Sequence, residues 1–397
     1  MADMAFCTIL ARNYLPKALA LSESLGRHGS AHPLTVFLID ADTDTDLPAI
    51  EGVQWMFPSM LGLDPRTVLD LKMSYTLVEF ATAVKPLLLQ TLLREHEQVA
   101  YLDPDTYVTA PMDELGPALD ASEGGIVLTP HYLEPTVPGA RFSEGHLLLV
   151  GVYNLGFCAV DRRADAFLNW WWGHLESECL HDAIAGLFVD QKWVDVGAVL
   201  FHAAALQHPG YNVSIANLPE RPVTRDQAGY LVGNRGERLR LYHFHAFDAR
   251  NPDELYNRAA TSTADIIAGS EALRELCHEY AAAVLRFDDK LGPQPSYIYD
   301  KDTRGHTITP RRRQAYRTAL RTSPAGSVPS PYVAAEADAY EQWRRGAMRI
   351  MGRLIVSDVA KGMRCALPGE YRALKRRVPK AANAIRARYV ESTGKWG

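Results

Sequence analysis

The chain opens on a strand, a helix and a second strand, and that order constrains the fold more than any other feature of the sequence. Ala5 to Ala11 (AFCTILA) is an unbroken apolar run of strand length. A short loop, Arg12-Asn13-Tyr14, follows it, and Pro16 stands where the first turn of a helix accepts proline. Leu15, Leu19 and Leu25 continue at helical spacing until Gly26 and Gly29 end the run. Leu34 to Asp40 (LTVFLID) is a second buried strand, closing on an acid. Two buried strands joined through a helix predict a parallel sheet covered by helices.

The pattern continues downstream. Val53 to Phe57 reads as a third strand, Met73 to Val84 as a helix, and Lys85-Pro86 as the start of another running through His96. Gln98 to Leu102 (QVAYL) is a strand that stops at Asp103. Ile126 to Thr129, Tyr153 to Val160 and Leu239 to Phe244 are further strands, with helical runs over Arg163 to Cys179 and Asp190 to Leu206. Beyond about Thr261 the pattern becomes helical, with a Pro/Gly/Ser-rich break near Thr322 to Pro331. A chain of 397 residues, 47% of them hydrophobic, can bury a sizeable core and is too long for one minimal domain. The expected division is a catalytic domain over residues 1–260 and a helical extension over 261–397. A net charge of -5 provides no field for a nucleic-acid partner. Five scattered cysteines (Cys7, Cys158, Cys179, Cys277 and Cys365) without a CxxC pair predict reduced thiols and a cytoplasmic protein. No stretch is apolar enough to span a bilayer.

Chemistry is most legible at Tyr101-Leu102-Asp103-Pro104-Asp105. An apolar strand delivers two carboxylates, one residue apart, at its carboxyl end, where ligands of open α/β sheets bind. In a turn, that spacing lets both carboxylates face one hard cation that keeps open positions for phosphate oxygens. A solvated turn uses the same residue types. His243, closing the late strand Leu241-Tyr242-His243-Phe244-His245, can supply a third ligand through an imidazole nitrogen, and His245 is the alternative two positions on. Asn154 and Gly156 interrupt an apolar strand. The asparagine needs hydrogen-bond partners, either sugar hydroxyls or carbonyls of a bulge, and the glycine permits close approach or marks that bulge. Asp190-Gln191 opens a helix, so Asp190 either caps it or meets a ligand there. Trp170-Trp171-Trp172 points three ways on a helix and reads as core packing. His131, just past the strand IVLTP, could touch a donor or an acceptor.

Five motifs in order resemble GT-A fold glycosyltransferases, and within them the retaining family-8-like enzymes. FCTILARNYLPKALALSESL is similar to that family's opening nucleotide-binding segment, and YLDPDTYV to its strand and DxD motif. VYNLGFCAV resembles its asparagine–x–glycine strand, VDQKWVDV its aspartate–glutamine helix start, and YHFHAF its late histidine motif. The resemblance covers roughly the first 250 residues. It departs at His245-Ala246, where a small residue and a glycine are expected.

The resemblance implies that Asp103, Asp105 and His243 hold a manganese or magnesium ion. It places Thr8, Asn13 and Tyr14 in the nucleoside pocket with Asp40 near it, and Lys85 as a cation near the donor. Asp103, Asn154 and Gly156 would also face the donor, and Asp190 with Gln191 the anomeric carbon. The fold it implies is a GT-A-type sandwich around a mostly parallel sheet with a helical C-terminal extension. The activity it implies is glycosyl transfer, with retention, from a UDP- or GDP-sugar to a hydroxyl of a small-molecule, glycan or lipid-linked acceptor. A sugar nucleotidyltransferase would need a glycine-rich loop after the first strand, where Ala11-Arg12-Asn13-Tyr14 has no glycine. A non-catalytic protein that keeps the fold would not need Asp103, Asp105 and Asp190. From Tyr371 to Val390, basic residues alternate with Leu374, Val378, Ala382, Ile385 and Tyr389 around Pro379. Such a stretch either packs on the protein or lies on an anionic membrane surface, peripheral to the inner face.

Overall fold

The computed structural model describes residues 4–44, 47–136, 143–258 and 261–367; the basic stretch from Tyr371 to Val390 lies outside them. The described residues fall in two compact units, those of Met1–Leu63 with Leu77–Tyr297, and those of Asp64–Thr76 with Ile298–Gly397.

In chain order the first unit starts with β1 (Met4–Leu10), α1 (Leu15–Arg27), β2 (Leu34–Leu38) and β3 (Val53–Met56). Helix α2 (Pro65–Ser74) belongs to the second unit. The first unit resumes with α3 (Leu77–Ala83), α4 (Lys85–Leu92), β4 (Gln98–Leu102), β5 (Thr106–Val108), α5 (Leu115–Ala121) and β6 (Ile126–Pro130). Then come α6 (Glu144–Val150), β7 (Tyr153–Asp161), α7 (Asp165–Glu178), the short strands β8 (His181–Asp182) and β9 (Leu187–Phe188), and α8 (Gln191–Leu200). The unit closes with β10 (Ala204–Ala205), the strands β11 (Val223–Asp226), β12 (Gly229–Val232) and β13 (Glu237–Arg238), β14 (Leu241–His243), α9 (Ala264–Ala268) and α10 (Glu271–Leu291).

Seven strands form one sheet in the order β10-β6-β7-β4-β1-β2-β3. β1 pairs in parallel with β2 and β4, β2 with β3, and β10 with β6; β7 alone runs antiparallel, to β4 and to β6. The sheet is therefore mostly parallel, as the opening segment predicts. Every residue of β1 is buried, which is why it reads as a continuous apolar run instead of an alternating one. Because β7 reverses twice, β1, β4 and β6 all point their carboxyl ends to one edge, where side chains leaving the strands can converge.

Helix α10 explains why the units divide elsewhere than at residue 260. Its Leu273, Leu276, Tyr280 and Val284 are buried in one apolar cluster with Tyr107, Tyr242 and Phe244, so it belongs to the first unit. Of the tryptophan run of α7, Trp171 packs inward. Trp171 is fully buried, stacks on Phe167 at 5.2 Å, and donates its indole N–H to the Asp190 carbonyl at 3.2 Å.

In the second unit α2 joins α11 (Pro310–Thr322), α12 (Ala337–Gly346) and α13 (Met348–Ala366). The helix expected over Met73 to Val84 is in fact two, with Tyr75 extended (φ -112°, ψ 147°) between α2 and α3. Arg313 supplies the reason. Its buried guanidinium donates to the carbonyls of Lys72 (2.7 Å), Tyr75 (2.6 Å) and Tyr299 (2.9 Å) and to Asp300 Oδ1 (2.8 Å). Carbonyls that a continuing helix would satisfy are satisfied by this side chain instead. A buried group left unsatisfied costs roughly 1–3 kcal/mol. Arg313→Ala removes a buried donor shared by the Lys72, Tyr75 and Tyr299 carbonyls, of which the Tyr332 hydroxyl still reaches Tyr299 and Lys72. It should speed hydrogen exchange in α2 and α11 while the sheet of the first unit keeps its protection; equal loss in both units would contradict this reading.

Candidate active site

Strand β4 is buried at the middle of the sheet and ends on Asp103-Pro104-Asp105. Thr106 closes the turn, with its backbone N–H (3.1 Å) and hydroxyl (2.7 Å) both donating to the Asp103 carbonyl. The chain then runs into β5, which pairs antiparallel with β14 in a register that sets His243 opposite Thr106. The Phe244 N–H donates to the Asp105 carbonyl at 2.8 Å. A residue 138 positions away is thereby fixed beside the turn (243 − 105).

The imidazole of His243 is 5% exposed. Its Nε2 lies 3.3 Å from Asp105 Oδ1 and 3.6 Å from Asp103 Oδ2, yet is aligned for a hydrogen bond with neither. Gly156 makes this approach feasible, since a Cβ there would sit 2.4 Å from His243 Cε1. Its carbonyl also accepts from the Asp103 N–H at 2.9 Å. Tyr101 donates its hydroxyl to Asp103 Oδ1 at 2.6 Å. Burial opposes the Asp105 charge, but His243 outweighs it and the carboxyl is held down at about 2. Burial likewise opposes the His243 charge, and Asp105 raises it overall.

Ligand atoms of Asp105, His243 and His245 lie within 4.8 Å of one another. His245 is exposed, whereas His243 is the histidine that faces both acids. Two carboxylates and a buried, partnerless imidazole nitrogen form a donor set that fits a hard or borderline divalent cation.

A second constellation lies alongside. Lys85, at the start of α4, is buried with its Nζ 2.6 Å from Asp190 Oδ2 and 3.0 Å from the Leu155 carbonyl, over the Tyr101 ring at 4.1 Å. Burial opposes its charge, and Asp190 with Asp103 more than offsets that, raising its pKa. The Asp190 side chain makes no capping bond to α8, so its partner is Lys85 and not the helix end. Gln191 is engaged at both ends. Its Oε1 accepts from Leu155 N–H (3.1 Å), and its Nε2 donates to the Val150 carbonyl (3.0 Å) and lies 3.3 Å from His131 Nε2. Burial, then the charges of His243 and His146, hold His131 at about 3, which makes it a neutral acceptor for that amide.

The remaining expected residues separate. Asn13 and Tyr14 line a cavity of about 270 Å³ together with Lys17 and Arg258. Tyr14 is close enough to Asp105 that, after burial, that charge raises its pKa. Thr8 is buried in β1 with its hydroxyl unpartnered. Asp40 takes the Arg12 N–H on both carboxylate oxygens at 3.1 Å. The Asn154 Oδ1 accepts from Gly156 N–H at 3.0 Å, so its amide oxygen serves the strand itself.

Sequence reasoning missed Asn212, which donates to Asn154 O and accepts from His243. It also missed where the backbone is strained. Among the described residues, four non-glycine positions have positive φ, and three flank this site: Val189 (41°) before Asp190, Asn212 (54°), and Ala246 (55°) just past His243. Ala246 stands where the resemblance expects glycine, and it keeps a left-handed backbone that costs a non-glycine roughly 1–2 kcal/mol. Non-glycine residues persist in that conformation where the surrounding structure over-determines the backbone.

No protein-family model matches the chain. It is 26% identical over 311 residues to YfnF, an uncharacterized protein of Bacillus subtilis (strain 168), a match spanning 75% of this chain and 98% of that protein. Solved structures similar to it are glycosyltransferases. The glycosyltransferase GlyE of Streptococcus pneumoniae TIGR4 aligns over 74% of this chain and 66% of its own, at 14% identity and a TM-score of 0.41. The galactosyltransferase LgtC, solved with donor and acceptor sugar analogues, aligns over 70% and 96%, at 14% and 0.39. Mouse xyloside xylosyltransferase 1 aligns over 61% and 97%, at 12% and 0.39.

The Lys85–Asp190 pair gives a direct energetic test. Breaking a buried ion pair by removing one partner costs about 3–5 kcal/mol. Lys85→Met and Asp190→Asn should each lose stability of that order in denaturant unfolding, and the double variant should lose less than their sum. Additive losses would show that the two charges are not coupled.

Proposed function

We propose that this chain is a metal-dependent glycosyltransferase of the GT-A type, transferring a sugar from a nucleoside diphosphate to a hydroxyl acceptor. The observation that carries this is the convergence, at the carboxyl edge of the sheet, of Asp103, Asp105 and the unpartnered His243 Nε2. Lys17 and Arg258 line the adjoining cavity and suit a diphosphate. Asp103, Asp105 and His243 would hold manganese or magnesium. Such an ion, when bound, neutralises the charge that develops on a diphosphate leaving group.

The chain's own groups do the rest. Burial raises the Asp190 carboxyl overall and the Lys85 ammonium pulls it back, so in its ionised form the pair presents a carboxylate where a departing donor leaves positive charge on the sugar ring. Lys85 holds that carboxylate in place. Gln191, bonded at both ends, fixes Leu155 and Val150 around the same point. Retention of anomeric configuration follows from the family-8 resemblance. The nucleotidyltransferase alternative is disfavoured at the first loop, because Asp40 already occupies the Arg12 N–H that a triphosphate cradle would need.

The experiment is a panel of UDP- and GDP-sugars assayed for hydrolysis and transfer with manganese, with magnesium and with EDTA. Asp103→Asn or Asp105→Asn should leave the fold intact and lower turnover at least about 100-fold, since lost metal-site partners typically cost 10- to 100-fold in affinity or activity and these two are proposed ligands. Chelation should abolish turnover. Unchanged turnover in both variants, with EDTA inert, would defeat the metal-dependent mechanism.

A further inference from the structure

We infer that Asn212 is a positioning residue that sets which nitrogen of His243 carries the proton, leaving Nε2 free as a metal ligand. The inference rests on the metal-dependent reading of the site and deepens it.

Asn212 is 1% exposed and holds a left-handed backbone (φ 54°) in the segment between β10 and β11. Its Nδ2 points at two acceptors, the Thr129 hydroxyl (2.8 Å) and the Asn154 carbonyl (2.9 Å). A carbonyl can only accept, so the amide cannot flip without setting two oxygens against each other. Its Oδ1 is thereby committed to the opposite side, where His243 Nδ1 lies 3.1 Å away. An acceptor there requires the proton on Nδ1.

That requirement opposes the local bias. Asp103 and Asp105 flank Nε2 at 3.6 and 3.3 Å, and two carboxylates draw a proton onto the nitrogen between them. A protonated Nε2 has no lone pair to offer a cation. Asn212 supplies the counter-pull from the other side of the ring, as the outer partner of a ligating histidine does by fixing its tautomer. The Asn154–x–Gly156 segment completes the cradle. Its Asn154 carbonyl anchors the Asn212 amide, and Gly156 leaves room for the ring. The role of that segment is to hold the histidine.

The left-handed backbone makes a clean variant available, because glycine adopts φ 54° without strain while removing the amide. Asn212→Asp keeps an acceptor facing Nδ1 but loses the amide donor and sets its second oxygen against the Asn154 carbonyl, so it reports on the tautomer and not on affinity. Manganese affinity is measured by calorimetry on the full chain without any nucleotide. The His243 tautomer is read separately by 15N spectroscopy of metal-free protein at alkaline pH, where the imidazole is neutral. Asn212→Gly should weaken manganese binding 10- to 100-fold and move the neutral ring toward the Nε2–H form, with thermal unfolding still cooperative. Asn212→Asp should keep the neutral ring in the Nδ1–H form. An unchanged tautomer in Asn212→Gly would overturn the inference, and so would a shift to the Nε2–H form in Asn212→Asp. Should Asn212→Gly not fold, Asn212→Ala removes the same acceptor while keeping a Cβ in its place, and an unchanged tautomer there has the same force. A parent protein that binds no manganese would count against the proposed function, while the tautomer would still decide the role of Asn212.

Discussion

The antiparallel pairing of Thr106–Val108 with Leu241–His243 is the interaction on which the candidate site depends. The DxD turn alone brings two carboxylates to the end of β4 and no third ligand. The strand that follows it recruits β14, and the register opposite Thr106 brings one imidazole to both acids. A slip of one residue would turn His243 to the other face and replace it with Tyr242 or Phe244. The apolar cluster of Tyr107, Tyr242, Phe244 and Tyr280 pins that register, since a slip would bring aromatic rings out of the core. Packing around β14 and chemistry at its end are thus one constraint.

A second layer of polar groups holds this arrangement from behind. Lys85 and Asp190 form an ion pair with side chains 2% and 3% exposed, and the ammonium also bonds the Leu155 carbonyl next to Asn154. Gln191 ties Leu155 to Val150 and His131. Asn212 ties Asn154 to His243. Strand β7 is where these links meet, since Lys85 and Gln191 both bond Leu155 and Asn212 bonds Asn154. Buried polar networks of this kind add little net stability but fix geometry, because each member left unpaired is costly. The left-handed backbone at Val189, Asn212 and Ala246 falls in the connecting segments beside these residues.

Much of this was legible in the sequence, for identifiable reasons. β1, β2 and β4 are buried on both faces, so their composition alone betrays them, and Asp103, Asp105 and His243 are polar residues abruptly ending such runs. What escaped was set by contacts remote in sequence. Nothing local marks Asn212, whose partners are Thr129, Asn154 and His243. Asp190 looks like a helix cap by position, and only Lys85, 105 residues earlier, shows otherwise. The break at Tyr75 follows from Arg313, 238 positions on, and helix α10 joins the first unit because of aromatic residues contributed by β5 and β14. Periodicity reports burial, and it carries no address for the group that does the burying.

The central claim is that one divalent cation is held by Asp103, Asp105 and His243. Anomalous scattering at the manganese edge, from crystals grown with manganese and a nucleoside diphosphate, tests it most directly. The account predicts one dominant peak in contact with Asp105 and the Nε2 of His243, and its disappearance in Asp105→Asn. A peak elsewhere, or none at this turn with the diphosphate visible, would contradict it.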